Sequence, residues 1–322
     1  MRNKILIIKT GHSEILDDRT NSRIVSLGDV LRTTPLLHLY KEESVTWLTD
    51  PNAIPLLANN SLIGRVLPYD LTTVLQLQSE EFDTVVNLEK VPGICALADS
   101  IRARRSRFGF TFNSQTGEAE AYDKAYVAFA VGSNLSTKKE NGRTVQQHIF
   151  EMVGAEWEAE EYSLGYLPKS IGEYDVALNT RIGPKWPTKA WPKKHWDKLE
   201  KILEESGIKV TRQDKQNVSV LTDLYSYMDW ICSADVVVSN DSLGLHLGIA
   251  MKKKIIGLFG SSPHREMHFY GLGEAILAAG EYDCRPCMGQ SCFSGKNCIE
   301  SIDPMGVAEK IGKYLHGCAY RD

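Results

Sequence analysis

Three groups of polar residues stand where a chain can place chemistry. The first is Ser26-Leu27-Gly28-Asp29-Val30-Leu31-Arg32-Thr33-Thr34-Pro35, which sets a carboxylate at the opening of a helix. A glycine there lets a substrate approach the backbone. The helix start favours an anion, so Asp29 can serve as a base, or can simply cap the helix. The second group is Ser239-Asn240-Asp241-Ser242-Leu243-Gly244-Leu245-His246, directly after an apolar strand. Backbone N–H groups at the next helix start, with Ser242 and Gly244 beside them, suit a phosphate. A turn capped by Asp241, with His246 packed in a core, is the plainer alternative. The third is Asn179-Thr180-Arg181 followed by Lys189-Ala190-Trp191-Pro192. A lysine on such a loop can offset charge growing on a leaving diphosphate, or can belong with Lys185, Lys193 and Lys194 to a solvated basic loop.

The sharpest local pattern is Cys284-x2-Cys287-x4-Cys292-x5-Cys298. Four thiols match the ligand count of a tetrahedral zinc or iron site, and Gly289 and Gly295 permit sharp reversals. With every position taken by thiolate, no open site remains for a reactive water, so such a metal would brace the loop. Four reduced cysteines without metal are the alternative. Cys95, Cys232 and Cys318 fall outside the pattern and read as packing residues.

The elements that must position these groups alternate. Candidate strands in the first half are Lys4–Lys9, Val45–Thr49, Arg65–Pro68, Thr84–Leu88 and Arg107–Phe110, with helical patterns at Gly28–Tyr40, Ile54–Ala58, Leu71–Leu77 and Gly93–Ile101. The second half repeats the scheme. Its strands are at Asp175–Asn179, Lys209–Thr211, Val236–Ser239, Ile255–Phe259 and Ala275–Leu277, its helices at Lys193–Glu205, Asp223–Ser233, Ser242–Met251 and Pro304–Leu315. Strand–helix alternation implies parallel sheets covered on both faces. Leu164–Gly172 reads as the linker, giving domains 1–167 and 168–322, with ligands expected at the carboxyl ends of the strands. Asn113–Gln146 reads either as a loop or as a strand pair at a sheet edge. Arg102, Arg104, Arg105 and Arg107 read as a solvated helix end or as a contact for anionic lipid or a phosphorylated acceptor.

In order and spacing these motifs resemble the heptosyltransferase family of GT-B enzymes, glycosyltransferase family 9. The resemblance covers nearly the whole chain: Ser-Leu-Gly-Asp-Val-Leu-Arg-Thr-Thr-Pro-Leu after the opening strand, a central Lys-x-Trp-Pro, and Asn-Asp-Ser-x-Gly-x-His-Leu before a strand ending Gly-Leu-Phe-Gly. It implies an α/β GT-B fold, two Rossmann-like doubly wound domains facing a central cleft. The N-terminal domain would bind the acceptor and the C-terminal one a nucleotide-diphosphate sugar. It further implies inverting transfer without a catalytic cofactor, with ADP-heptose as the expected donor. Asp29 then matches the general base and Lys189 the phosphate-holding residue. Thr180, Asp241, Ser242, Gly244 and His246, with Asn179 beside them, match the donor wall. Members carry a similar cysteine cluster, and some bind iron through it. The chain departs from the family in three places. An insertion, Thr10–Val25, makes His12 and Glu14, with Arg32, the acceptor-side candidates. Leu243 stands where the family more often has glycine. The short stretch after Thr211 offers only Asp214 as an acidic partner for a donor ribose.

Composition bounds the alternatives. Hydrophobic residues are 43% and charged residues 24% of the 322, as in ordinary globular proteins. A net charge of -4 has the wrong sign for a nucleic-acid partner. Met1–Ile8 only superficially resembles a signal peptide, and no apolar run approaches the roughly 18 residues of a membrane helix. A cytoplasmic protein, at most peripheral to the inner face of a membrane, is expected. Its acceptor would be a glycan, lipid-linked, protein or small-molecule hydroxyl. Two other readings compete: a GT-B nucleotide-sugar epimerase or hydrolase, and a metal-braced scaffold without activity.

Overall fold

The structure, a computed structural model, describes residues 2–12, 25–170, 172–215, 223–280 and 282–316. Glu14, most of the 10–25 insertion and Cys318 lie outside them. The chain divides into two compact units, Met1–Tyr166 and Leu167–Asp322.

The first unit holds a six-stranded sheet of β1 (Lys4–Ile8), β2 (Ser44–Thr49), β3 (Arg65–Pro68), β4 (Glu81–Asn87), β5 (Arg102–Phe112) and β6 (Ala119–Ala121). Their order is β3-β2-β1-β4-β5-β6. Every pairing is parallel except β5 with β6. Residues Ile5–Ile8 are buried on both faces because successive side chains alternate. Ile5 and Ile7 pack with Trp47, Val86 and Phe150, while Leu6 and Ile8 pack with Leu48, Phe82 and Ile94.

The second unit holds five parallel strands, β7 (Tyr174–Asn179), β8 (Val210–Arg212), β9 (Ala234–Asn240), β10 (Lys254–Phe259) and β11 (Gly273–Leu277), in the order β11-β10-β9-β7-β8. On one face Val176, Val236, Val238 and Ile256 meet Trp196, Leu199 and Leu203 of the helix Lys193–Glu205, and Val307 and Ile311 of the helix Pro304–His316. The fold is therefore α/β, with two parallel-dominated sheets of the doubly wound kind.

Three expectations change. The helix expected over Gly28–Tyr40 is two pieces, an α-helix Leu27–Leu31 and a 3₁₀ segment Thr34–Tyr40. Pro35 has no N–H to donate to the Leu31 carbonyl, so the α-helical ladder is interrupted there. The Thr33 and Thr34 hydroxyls take over the carbonyls of Val30 and Leu31, each at 2.7 Å. The Asn113–Gln146 stretch contributes β6 to the sheet edge and continues as helices Tyr126–Ser133 and Leu135–Glu140. The four arginines sit within β5, not between a helix and a strand, and are engaged locally. Arg104 pairs with Glu81 at 2.7 Å, Arg102 donates to Ser79 O, and Arg107 donates to the Ala98 and Ile101 carbonyls.

Candidate active site

In a parallel sheet the strand ends that release the chain into helices line one edge, and both candidate clusters lie on such edges. In the first unit β1 runs on into Lys9, Thr10 and Gly11, while β4 is followed by Glu89. The ladder continues past β1, with Lys9 N donating to Leu48 O at 3.0 Å. This fixes Lys9 so that its ammonium, almost wholly buried, meets the Asp29 carboxylate. Arg32, one turn along from Asp29, donates Nε to Oδ1 at 2.8 Å and Nη2 to the same oxygen. Glu89, fully buried, lies 3.4 Å from Lys9 Nζ and accepts from Thr10 N at 2.6 Å, Thr10 Oγ1 at 3.1 Å and Gly11 N at 2.7 Å. Two cations thus face two carboxylates.

Burial alone would disfavour the ionised carboxyl of Asp29, but Lys9 and Arg32 outweigh it and hold its pKa far below the usual carboxylate range. Burial likewise disfavours the Lys9 ammonium, yet Asp29 and Glu89 raise its pKa. The helix start contributes less than expected, since Leu27–Leu31 is barely one turn long and the ion pairs dominate. His12 reaches the same edge. Its Nδ1 is 2.8 Å from Thr10 Oγ1 and its Nε2 3.7 Å from Asp50 Oδ2, just past the end of β2. Asp29, Arg32 and His12 are therefore brought together. Lys9 and Glu89 were missed by sequence reasoning; the available signal was a charged residue at the end of each of two apolar strands.

In the second unit β7, β9 and β10 deliver the donor-side candidates to one edge. Lys189 Nζ lies 2.7 Å from Asp241 Oδ2, both side chains largely buried. Burial opposes ionisation of Asp241, but Lys189 prevails, with His246 and Ser262 adding to it, and the pKa falls to about 2. Ser242 stands before the helix Leu243–Ala250 and makes no side-chain cap; its hydroxyl instead receives Asn179 Nδ2 at 2.9 Å. Asn179 also donates to Ser239 Oγ at 2.7 Å and accepts from Tyr227 Oη at 2.6 Å. Asn240 holds the flanking loops, donating to Thr180 O at 2.9 Å and accepting from Trp191 N at 3.0 Å. Thr180 Oγ1 is buried with no hydrogen-bond partner among the described residues. Asn179, Thr180, Lys189, Asp241, Ser242, Gly244 and His246 thus converge with Ser239 of the same motif, while Tyr227 joins them unforeseen. Asp214 is engaged by Arg212, Nε to Oδ1 at 2.7 Å and Nη2 to Oδ2 at 3.0 Å.

Gly244 has a steric reason to be glycine. A Cβ there would lie 2.5 Å from Tyr227 Oη and would also overlap the Asn179 amide. Alanine in a helix gains up to about 1 kcal/mol over glycine, but overpacking costs about 1–3 kcal/mol, so the overlap wins. Gly244→Ala is expected to lower thermal stability and weaken nucleotide binding, read by melting temperature and by calorimetry.

The cysteine segment offers a donor set suited in kind and number to zinc or iron. Burial pushes the Cys298 thiol up. Arg285 opposes this, and Cys287, Cys284 and Cys292 add to the rise, so the four share one neighbourhood. Their exposure runs from exposed Cys284 to buried Cys298. As placed they do not fit a metal cage: among the described residues no group of three or more His, Cys, Asp or Glu side chains is arranged to hold a metal ion. Nor is any helix among them long and apolar enough to cross a membrane.

Comparison with known proteins places this architecture. The model of glycosyltransferase family 9 (heptosyltransferase) matches residues 211–297, a range that includes the Asp241–His246 motif and ends before Cys298. Lipooligosaccharide heptosyltransferase 2 of Campylobacter jejuni is 26% identical over 118 residues, 36% of this chain and 36% of that protein, so the match spans little more than a third of that relative. Among solved structures, the Escherichia coli heptosyltransferase WaaC with ADP superposes with a TM-score of 0.64 at 16% identity, covering 97% of this chain and 99% of that one. The iron-containing dodecameric glycosyltransferase TibC from enterotoxigenic E. coli gives 0.56 at 14% identity, covering 99% and 77%. The fold is that of the GT-B heptosyltransferases.

Proposed function

We propose that this chain, a relative of the heptosyltransferases of glycosyltransferase family 9, moves a sugar from a nucleotide-diphosphate donor onto an acceptor hydroxyl with inversion at the anomeric carbon. Lys189 carries the reading. It is a buried cation on the carboxyl edge of a parallel sheet, paired with the Asp241 carboxylate and set beside the start of the helix Leu243–Ala250. Such a cation can exchange its carboxylate for a diphosphate and stabilise the charge that grows as the glycosidic bond breaks. Thr180 and Ser242 supply hydroxyls, and backbone N–H groups of the helix start add to the phosphate site.

On the acceptor side Asp29 takes the proton from the attacking hydroxyl. Lys9 and Arg32 keep it ionised and ready to accept, at the cost of lowering its basicity. ADP-heptose is the proposed donor, supported by the heptosyltransferase names of the relatives and by the ADP in the WaaC structure. The acceptor offers a hydroxyl of a glycan, a lipid-linked sugar, a protein or a small molecule, met by a protein that is cytoplasmic or peripheral to the membrane's inner face.

Calorimetry with ADP, UDP and GDP, followed by incubation with ADP-heptose alone, tests this. Binding of ADP in preference to the others, with the donor left intact until an acceptor is added, is expected. Rapid conversion of the donor alone would replace transfer by epimerisation or hydrolysis, and failure of every nucleotide to bind would sink the enzyme reading altogether.

A further inference from the structure

We infer that the cysteine-rich segment 284–302 is the brace that positions Lys189, and that Thr188 is the residue through which it acts. The inference rests on the reading of Lys189 as the counter-charge to the donor diphosphate. Lys189 sits in the 3₁₀ turn Pro187–Lys189, three residues with no strand or long helix behind them. So short an element has no stability of its own, so neighbouring contacts must fix where the lysine points.

Those contacts come from both arms of the cysteine segment. On the amino side of Lys189, the buried Thr188 hydroxyl donates to Gly289 O and lies 2.9 Å from Ser261 Oγ. Ser261, just past the end of β10, in turn holds the segment: its carbonyl receives Cys287 N at 3.0 Å and Met288 N at 3.1 Å. On the carboxyl side, Trp191 Nε1 donates to Ile302 O at 3.2 Å. The chain past the last cysteine also presses on the end of β10, where a Cβ on Gly260 would lie 2.6 Å from Ile299 Cβ. The residues before and after Lys189 are thereby tied to the segment's two halves, while its ammonium rests on Asp241.

Thr188 is accordingly a positioning residue for the donor site, and the cysteine loop has a mechanical role whatever its thiols bind. ADP affinity, measured by calorimetry in the full chain, separates this role from plain packing. Thr188→Val keeps the shape and loses the hydroxyl, and is expected to weaken ADP binding about tenfold, by analogy with the loss of a buried hydrogen-bond partner. Thr188→Ser is expected to stay within about twofold of the parent, since it keeps the donor. With Lys189 already replaced by Met, Thr188→Val is expected to change affinity by less than about twofold, because nothing remains to be positioned. Hydrogen exchange should rise across 187–191 in Thr188→Val and stay unchanged in β7 and β9.

Undiminished ADP binding by Thr188→Val, an equal loss in the Lys189→Met background, or exchange raised throughout the unit would overturn the inference while leaving the donor reading intact. Absence of ADP binding by the parent chain would overturn both.

Discussion

Asp29→Asn is expected to cut sugar transfer by about 10²–10⁴-fold, the usual contribution of a general base, while ADP affinity stays unchanged. The amide is the informative replacement because Asp29 also holds buried charge. Alanine would leave the Lys9 ammonium with Glu89, 3.4 Å away, and would remove the hydrogen bonds that Arg32 gives to Asp29. Loss of one member of a buried ion pair costs about 3–5 kcal/mol when nothing replaces it. Asparagine keeps an acceptor oxygen near both cations, so a smaller loss, about 1–3 kcal/mol, is expected. The pH dependence carries a sign. The folded-state pKa of Asp29 is depressed, so its stabilising contribution is present above the unfolded value of about 3.9 and fades as pH falls through the lower folded value. Asp29 thus stays ionised throughout the neutral range, and the acid limb of the rate profile that belongs to it lies below the ordinary carboxylate range. An acid limb near neutrality, present in the parent and absent from a slow Asp29→Asn variant, would contradict this account, as would transfer at the parental rate.

The distance in sequence between cooperating residues decides how much of this was legible. Strand positions were readable because apolar runs such as Ile5–Ile8 or Val236–Val238 report burial on two faces locally. The donor motif was readable because β9, its turn and the following helix are contiguous: Asn240, Asp241, Ser242 and Gly244 reach the edge together. Glu89 was not, because its meeting with Lys9, Thr10 and Gly11 depends on β1 pairing with β4 across the sheet, a tertiary fact that no local pattern carries, and Lys9 reaches Asp29 only across the turn that follows β1. The same holds for Thr188 with Gly289 and for Trp191 with Ile302, whose partners lie a hundred residues and more downstream. At Asp214 an acidic residue just past a strand invites a ligand role, and the structure adds that Arg212, buried at the end of β8, pairs with its carboxylate. At Pro35 the missing N–H, which interrupts an α-helical ladder, is legible locally, although the apolar periodicity runs on to Tyr40.

Lys189→Met is expected to lower the transfer rate by about 10²–10³-fold, the loss typical when one group that stabilises developing negative charge is removed, and to weaken ADP binding as well. The reason is an exchange of partners. Lys189 is paired with Asp241, so a diphosphate must compete with that carboxylate, and what it gains is the difference between the two. Asp241→Asn removes that competitor and should tighten ADP binding; weaker binding in that variant would mean that Asp241 contacts the donor itself. Acid unfolding reports the pair independently of any ligand. With Lys189 present the Asp241 pKa is lowered to about 2, so the pair's contribution is complete above about pH 4 and is lost as pH falls towards 2. Without Lys189, burial, the largest influence on this carboxyl, loses its main opponent, His246 and Ser262 being lesser ones, and the pKa must rise. Lys189→Met should therefore be less stable than the parent at neutral pH and should lose less stability between pH 4 and 2, so the two curves converge in acid. Parallel curves of melting temperature against pH would show that the ammonium and carboxylate are not energetically coupled, and the proposed exchange with diphosphate would lose its basis.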